Sequence, residues 1–400
     1  MQVVRWGGLA LALLAGSIGG AFAADPLAVR ITYVTHEEPD RLPPLSLVEP
    51  REIPDEGLAG ARLGISDNAT TGRFLGHEYQ LDEIRVPVDD DLAAAVAEAL
   101  ADGARLIVAD LVGEDLVPLM EMAGEAGALV FNARAEDDAL RTEVCHEAAF
   151  HVIPSRAMKA DGLAQYLMWK QWPEWLLVHG TREADLLFAD AIRRAATKFG
   201  AEIVEERAYE YQATARRTDT GHVQVQRQLP VFTQDAEEHD VLVVADESDV
   251  FGEYLPYRTW DPRPVVGTQG LVPVAWSRAF EAWGGTQMQN RFESAAGRPM
   301  RERDYAAWLA VRTIGEAVTR TSSAAADAIR DYLRSDAFEI GAFKGEGLTF
   351  RTWNQQMRQP ILLTTPRMLV SVSPQEGYLH QRTPLDTLGY DQPESDCDLS

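Results

Sequence analysis

The sequence predicts an α/β protein of two doubly wound parallel-sheet lobes with a ligand cleft between them. Three observations carry this. Short apolar runs alternate with amphipathic stretches in a βαβα beat, the beat starts afresh near residue 150, and 400 residues exceed what a single core ordinarily holds.

The first series opens at 61–65, a short apolar run that reads as a strand end. It breaks into Asn68, Thr70, Thr71 and Gly72 before a helical stretch carrying Phe74, Leu75 and Tyr79, so hydroxyls and backbone N–H groups would gather at a helix N-terminus. Strand 84–88 leads to a helix from Asp91, with Leu92, Val96 and Leu100 on one face and Gly103 as its stop. Strand 106–109, a helix through Val117, Met120 and Ala123, and strand 128–131 follow. This order implies a parallel sheet with right-handed crossovers.

The second series runs through strand 150–153, helix 158–169, strand 175–178 and helix 184–199, whose Phe188, Ile192, Ala195 and Phe199 form one stripe. Strands 201–204, 241–245 and 264–267 continue it. Past Val274, helices 303–319 and 324–333 and strand-like segments from 349 and over 360–372 return to the lobes. The expected organisation is 24–151 for the first part of lobe 1, 152–271 for the first part of lobe 2, 272–337 for the return to lobe 1, and 338–400 for the return to lobe 2 and the tail.

Residues 1–23 read as a secretory signal peptide. Arg5 supplies the early charge, Leu9 to Leu14 the apolar centre, and Ala21 and Ala23 the small residues before a cut. The mature protein is then expected outside the cytoplasm, and no later stretch holds the roughly 18 uninterrupted apolar residues of a membrane helix. With 62 Asp plus Glu against 37 Lys plus Arg, the chain repels nucleic acid and anionic membrane surfaces. Its two cysteines, Cys145 and Cys397, are expected to form a disulfide that pins the tail to the body in an oxidising compartment.

The sequence carries no evident catalytic machinery. In "CHEAAFH", His146 and His151 are five residues apart, which swings the second ring roughly 140° around a helix and prevents both from sharing a metal. There is no GxSxG elbow, Walker loop or GxGxxG fingerprint, and "GAFKGEG" (341–347) lacks the spacing and Lys-Ser/Thr ending of a phosphate loop. Asn68-Ala69-Thr70 is formally a glycosylation sequon. The acidic runs 89–91 and 136–138 lack the alternation and central glycine of an EF-hand, so helix capping explains them more cheaply. We therefore expect a protein that is not an enzyme and has no resident cofactor or metal.

What remains is a set of polar residues just beyond strand ends. Asn68, Thr70, Thr71, Asp110, Asn132 and Arg134 fall there in the first lobe, and Asp246, Tyr254 and Gln269 in the second, with His179, Thr181 and Thr268 nearby. In doubly wound sheets ligands bind at the carboxyl ends of strands, so these nine are the candidate ligand contacts. The stretch "FGEYLPYRTWDPRP" (251–264) adds Tyr257 and Trp260 as a possible apolar wall or a cover for the sheet edge.

The strings "FNARAEDDALR", "FHVIPSRAMKADGLAQYL" and "GLTFRTWNQQMRQPILL" resemble the type I periplasmic binding proteins of ABC transporters, the leucine/isoleucine/valine-binding group. More narrowly, "YLPYRTWDPRPVVGTQGLVPVAW", "QNRFESAAGRPM", "DYAAWLAVRTIGEAVTRT" and "SPQEGYLHQRTPLDTLGYD" look like the subfamily associated with pyrroloquinoline-quinone-dependent alcohol dehydrogenase systems. The resemblance implies a receptor that closes on a small solute and presents it to a membrane permease. Where the group's amino-acid binders carry hydroxyls, this sequence has Asp110 to Gly113, with no Ser or Thr, and Asn132-Ala133-Arg134. Two other readings stay open: capture of a calcium or lanthanide ion or of the quinone cofactor, and a periplasmic enzyme or a partner or sensor protein without transport.

Overall fold

The computed structural model describes residues 25–38, 53–211 and 222–399. The expected signal peptide and much of the proline- and acid-rich stretch 36–57 lie outside the described residues. The first sheet contains β1 (Leu27–His36), β2 (His77–Val86), β3 (Leu106–Asp110), β4 (Leu129–Asn132) and β5 (Ala149–His151). Its order is β2-β1-β3-β4-β5, with every pair parallel. Helices α1 (Leu58–Leu75), α2 (Leu92–Ala101), α3 (Gly113–Glu125) and the single turn α4 (Ala139–Thr142) connect these strands.

The second sheet, β6 (Glu174–His179), β7 (Glu202–Ala208), β8 (Val241–Ala245) and β9 (Val265–Gly267), has the order β7-β6-β8-β9 and is also parallel. Its helices are α5 (Arg156–Trp169), α6 (Glu183–Phe199), α7 (His222–Phe232) and α8 (Leu255–Arg258). The chain then returns through β10 (Val272–Val274), α9 (Gly285–Ala296), α10 (Glu302–Thr321) and α11 (Ala326–Leu333). It ends with β11 (Ile340–Gly341), β12 (Gly347–Phe350), β13 (Met357–Arg358), β14 (Ile361–Thr365), β15 (Met368–Ser373) and a long tail. Strands β10, β14 and β15 form one small antiparallel sheet and β11 to β13 another.

Both large sheets are covered on two faces, which explains why β3, β4, β6 and β8 are apolar runs without alternation. Helices α1, α9 and α10 bury Ile31, Val108 and Phe131 on one side of the first sheet, and α2 and α3 bury Val34, Ile107 and Val130 on the other. In the second lobe α5 and α6 pack on Leu177 and Val243, and α7 and α8 on Leu176 and Val178. The expected strand 360–372 is in fact two, β14 and β15, because Pro366-Arg367 turns the chain back on itself.

The run 61–65 is not a strand end. It is the second turn of α1, which begins after Gly57 and closes on Gly76 in the left-handed conformation (φ 71°). Gly60, Gly64, Asn68 and Gly72 recur every fourth residue, so they share one helix face. A Cβ at Gly60 would strike the Asp304 backbone, one at Gly64 would meet Val311, and one at Gly315 would strike Asn68. The face is a close crossing with α10, and small residues are what permit it.

The chain crosses between the two large sheets three times, from β5 to α5, from β9 to α9, and from α11 to β14. A buried polar seam holds the crossings side by side. Gln355 Nε2 donates to the Ala149 carbonyl (2.5 Å), Gln356 Nε2 to those of His151 (3.2 Å) and Ile153 (3.1 Å), and Gln359 Nε2 to Val152 (2.7 Å). Arg141, itself buried, donates Nε to Gln356 Oε1 at 2.8 Å. Each of these amide nitrogens finds a carbonyl partner in the apolar core, while Gln355 Oε1 is left without one. Among the described residues no helix is long and apolar enough to cross a membrane.

Lys344 belongs to the same seam. Its buried Nζ donates to Gln359 Oε1 (2.7 Å) and the Pro360 carbonyl (3.1 Å), and burial pulls its pKa down to about 7. An unfolded lysine titrates near 10.4. Between those values the folded protein binds fewer protons than the unfolded chain, so unfolding free energy rises with pH, at about 1.4 kcal/mol per unit. Chemical denaturation from pH 7 to 10 is expected to show that slope in the native protein relative to Lys344→Met, with the two profiles running parallel below pH 7.

Candidate ligand-binding site

The carboxyl ends of β1, β3, β4 and β5 place His36, Asp110, Asn132 and His151 along one rim. Those of β6, β8 and β9 place His179, Ala245 and Gly267 along the other. The rims converge at the start of α5. Arg156 makes a bidentate pair with Glu247, just past β8 (Nη2 2.8 Å, Nε 3.0 and 3.1 Å), and its Nη1 stands 3.4 Å from Asp137, past β4. One turn on, Lys159 bridges Glu136 (2.6 Å) and Glu302 at the start of α10 (3.0 Å). Glu302 also accepts from the Ala275 amide at 2.5 Å.

Burial shapes the electrostatics here. It pushes Glu247 above the usual glutamate range, with Arg156 pulling it back and Glu136 adding to the rise. Burial opposes the charge of Lys159 as well, but Glu136 and Glu302 more than offset this and hold it above an ordinary lysine. The cluster is a chain of alternating charges linking residues of both sheets, each charge facing an opposite one.

The structure brings some of the expected contacts to the rims and leaves others away from them. Asn68, Thr70 and Thr71 lie in the interior and last turns of α1, with Asn68 some ten residues, or about 15 Å, along the axis from its start. Asn68 Nδ2 donates to the Val311 carbonyl (2.8 Å) and its Oδ1 accepts from Arg312. Thr70 Oγ1 donates back to the Ser66 carbonyl at 3.0 Å. These three serve helix packing and the helix surface, a correction to the expected helix-start site.

Asp110 sits at the rim but is buried and paired. It accepts from Arg303 Nε (3.0 Å) and Nη2 (2.7 Å) and from the Tyr33 hydroxyl. Burial, then the Asp110 charge, drives the Tyr33 phenol well above its ordinary value. Asn132 closes its own turn: Oδ1 accepts from the amides of Arg134 (3.1 Å) and Ala135 (2.9 Å), and Nδ2 donates to the Ala135 carbonyl (2.8 Å) and lies 3.0 Å from His151 Nδ1. Arg134 is partly exposed and pairs with Glu38 just past β1.

In the second lobe Asp246 is buried, its carboxylate accepting from the amides of Val250, Phe251 and Gly252 at 2.6 to 3.0 Å. Burial nevertheless pushes its pKa up to about 6. Gln269 Nε2 donates to Asp249 at 3.2 Å, and Tyr254 is half-buried in a short 3₁₀ turn. Tyr257 and Trp260 are exposed, at 87% and 55%. Sequence reasoning missed Arg156, Lys159, Arg303 and Glu302, and it took Glu136, with the rest of the run 136–138, for helix capping. The only local signal was Ser155-Arg156 at the lobe crossing, where Ser155 caps α5.

Two surface hollows lie apart from these rims. One of roughly 710 Å³ is lined by Ser66, Asn290 and Arg291 between α1 and α9, the other of roughly 870 Å³ by His380, Arg382 and Asp391 in the tail. Among the described residues no group of three His, Cys, Asp or Glu side chains is placed to hold a metal ion. His146 Nδ1 accepts from the Ala148 amide (3.1 Å), and His151 is buried against Asn132.

Comparison with known proteins bears on the fold. The profile of a family described as periplasmic binding protein matches residues 53–219. No curated protein matches the chain. The fold is similar to an ABC transporter substrate-binding protein from Sphaerobacter thermophilus, with 16% identity, 91% of this chain and 100% of that chain covered, and a TM-score of 0.69. A leucine-, isoleucine-, valine-, threonine- and alanine-binding protein from Brucella ovis, in a closed conformation, aligns at 14% identity, 85% and 89% coverage and a TM-score of 0.64. An ABC transporter solute-binding protein from R. palustris in complex with benzoate aligns at 11%, 86% and 95%, and 0.59. The chain has the type I periplasmic binding protein fold.

Proposed function

We propose that this protein is the periplasmic solute-binding component of an ABC transport system, holding a small polar ligand between the two rims by lobe closure and delivering it to an inner-membrane permease. The observation that carries the reading is the convergence of two parallel-sheet carboxyl edges at Arg156, with Asp137 from one lobe and Glu247 from the other on a single guanidinium. Closure follows from differential binding, since only the closed form lets both rims touch one ligand. The long strings quoted above favour a system linked to quinone-dependent alcohol oxidation. The relatives that bind leucine or benzoate make a carboxylate a natural first probe, and such a ligand would compete with Glu38 for Arg134.

The test is thermal unfolding of refolded, ligand-stripped protein against short alcohols, aldehydes, carboxylic acids, amino acids, the quinone cofactor, calcium and lanthanide ions. A ligand at 100 times its dissociation constant adds about 2.7 kcal/mol of stability. A shift with one organic class supports the reading and names the cargo. A shift with metals alone, or none with any probe, contradicts it and turns attention to a metal-binding or partner-protein role.

A further inference from the structure

The tail after β15 runs over one lobe, across the seam and onto the other. On the second lobe, Gln165 Nε2 of α5 donates to Thr387 Oγ1 (2.9 Å), and Gly389 is held by three side chains: its amide donates to Asp161 (2.8 Å), and its carbonyl accepts from Lys198 (2.8 Å) and Arg194 (3.0 Å). The Arg194 guanidinium also lies 3.9 Å over the Tyr390 ring. At the seam, buried Arg351 donates to the carbonyls of Leu388 (2.6 Å) and Tyr390 (2.8 Å). On the first lobe, the Asp396 amide donates to the Thr142 carbonyl (2.9 Å), and Cys397 is bonded to Cys145 with the Cα atoms 5.8 Å apart.

We propose that this tail is a strap that limits how far the two lobes open, and that the Cys145–Cys397 bond fixes its length. The proposal rests on the reading of a protein whose lobes move. The argument is one of reach. Gly389 is anchored on the second lobe and Cys397 on the first, eight residues apart, and eight residues span at most about 28 Å when fully extended. The intervening chain is shorter than that, because Gln392–Glu394 forms a 3₁₀ turn capped by Asp391. Glu394 is tied further to Arg194 at 3.0 Å.

Opening therefore draws first on the slack in that turn and then meets the covalent limit. Without the bond, the contacts that hold the first-lobe end include hydrogen bonds from the Ser395 hydroxyl to the Arg141 and Thr142 carbonyls, from the Asp396 and Leu399 amides to the Thr142 and Trp353 carbonyls, and from Arg334 to the Leu399 carbonyl. Hydrogen bonds of this kind exchange readily with water. A disulfide does not.

Two variants test the strap by small-angle scattering of the ligand-free protein, each checked for native circular dichroism. One is Cys145→Ser with Cys397→Ser. The other keeps the disulfide and inserts four Gly/Ser residues between Glu394 and Ser395. The strap predicts that both have a larger radius of gyration and maximum dimension than the native protein. If the lengthened, disulfide-bonded variant scatters like the native protein, strap length does not limit opening and the proposal fails, even if the serine variant expands through fraying. No ligand enters this experiment, so its failure is separable from a flat ligand panel.

Discussion

Replacing Asp386 with alanine is expected to cost about 3–5 kcal/mol of folding stability, the scale for breaking a buried ion pair from one side. Asp386 is buried in the tail and is the shared anion for two guanidiniums, Arg351 Nε at 2.9 Å and Arg358 Nε at 2.9 and 3.0 Å. Burial already pulls the Arg351 pKa down, with Asp386 as the main opposing charge. Without that carboxylate, two cations face each other away from water. An exposed pair gives the contrast: Arg62 and Glu83 meet at 2.6 Å on the surface, and removing either is expected to cost about 1 kcal/mol or less. Urea denaturation of Asp386→Ala and Glu83→Ala, compared with the native protein, checks both. Equal losses would mean that the tail ion pair is not integral to the fold.

Replacing Arg156 with alanine is expected to be as severe and to depend on pH. Asp137 and Glu247 would be left without their shared cation, again at about 3–5 kcal/mol near neutral pH. Glu247 is already raised by burial, and losing Arg156 raises it further. Above the unfolded value near 4.3, the folded variant then holds a proton that the unfolded chain has released, so its stability falls as pH climbs. In the native protein Glu247 is itself raised to about 7, so both folded proteins keep its proton below that pH; the deficit of the variant should be steady from pH 4 to 7 and grow above it. Denaturation midpoints at pH 5.5, 7 and 8.5 measure this, and a deficit that does not change between pH 7 and 8.5 would mean Arg156 contributes packing alone. Arg156→Lys keeps the charge but not the paired geometry, and should fall between the two.

Much of the sheet architecture was legible because parallel strands covered on both faces announce themselves as apolar runs. The segments 106–109, 128–131, 175–178 and 241–245 all became strands at or within two residues of the expected limits. Strand β1 was passed over although Val29, Ile31 and Tyr33 alternate in "LAVRITYVTH", and the reading began instead at 61–65. There the misreading has a physical cause: a five-residue apolar run looks like a strand end, while the period that matters is the four-residue spacing of Gly60, Gly64, Asn68 and Gly72 against α10.

The rim positions were legible as positions, and what their side chains do was not. Asp110 and Asp246 lie at strand ends as doubly wound topology requires. But Asp110 is claimed by Arg303, 193 residues away, and Asp246 by the backbone of the turn that follows it. The Arg156–Glu247 pair is likewise 91 residues apart. Local patterns of period two or 3.6 carry no record of such partners, so a polar residue after a strand looks the same whether it awaits a ligand or already has an arginine.

The central claim is that the two rims close on a small solute. Its most direct test is the distance between spin labels on cysteines placed at Glu98 of α2 and Thr197 of α6, both exposed and one on each lobe. Pulsed electron resonance would compare ligand-stripped protein with protein saturated by whichever compound stabilises it. The account predicts that the distance distribution shifts and narrows on saturation, as an open ensemble gives way to a closed state. A compound that binds by calorimetry yet leaves the distribution unchanged would contradict it.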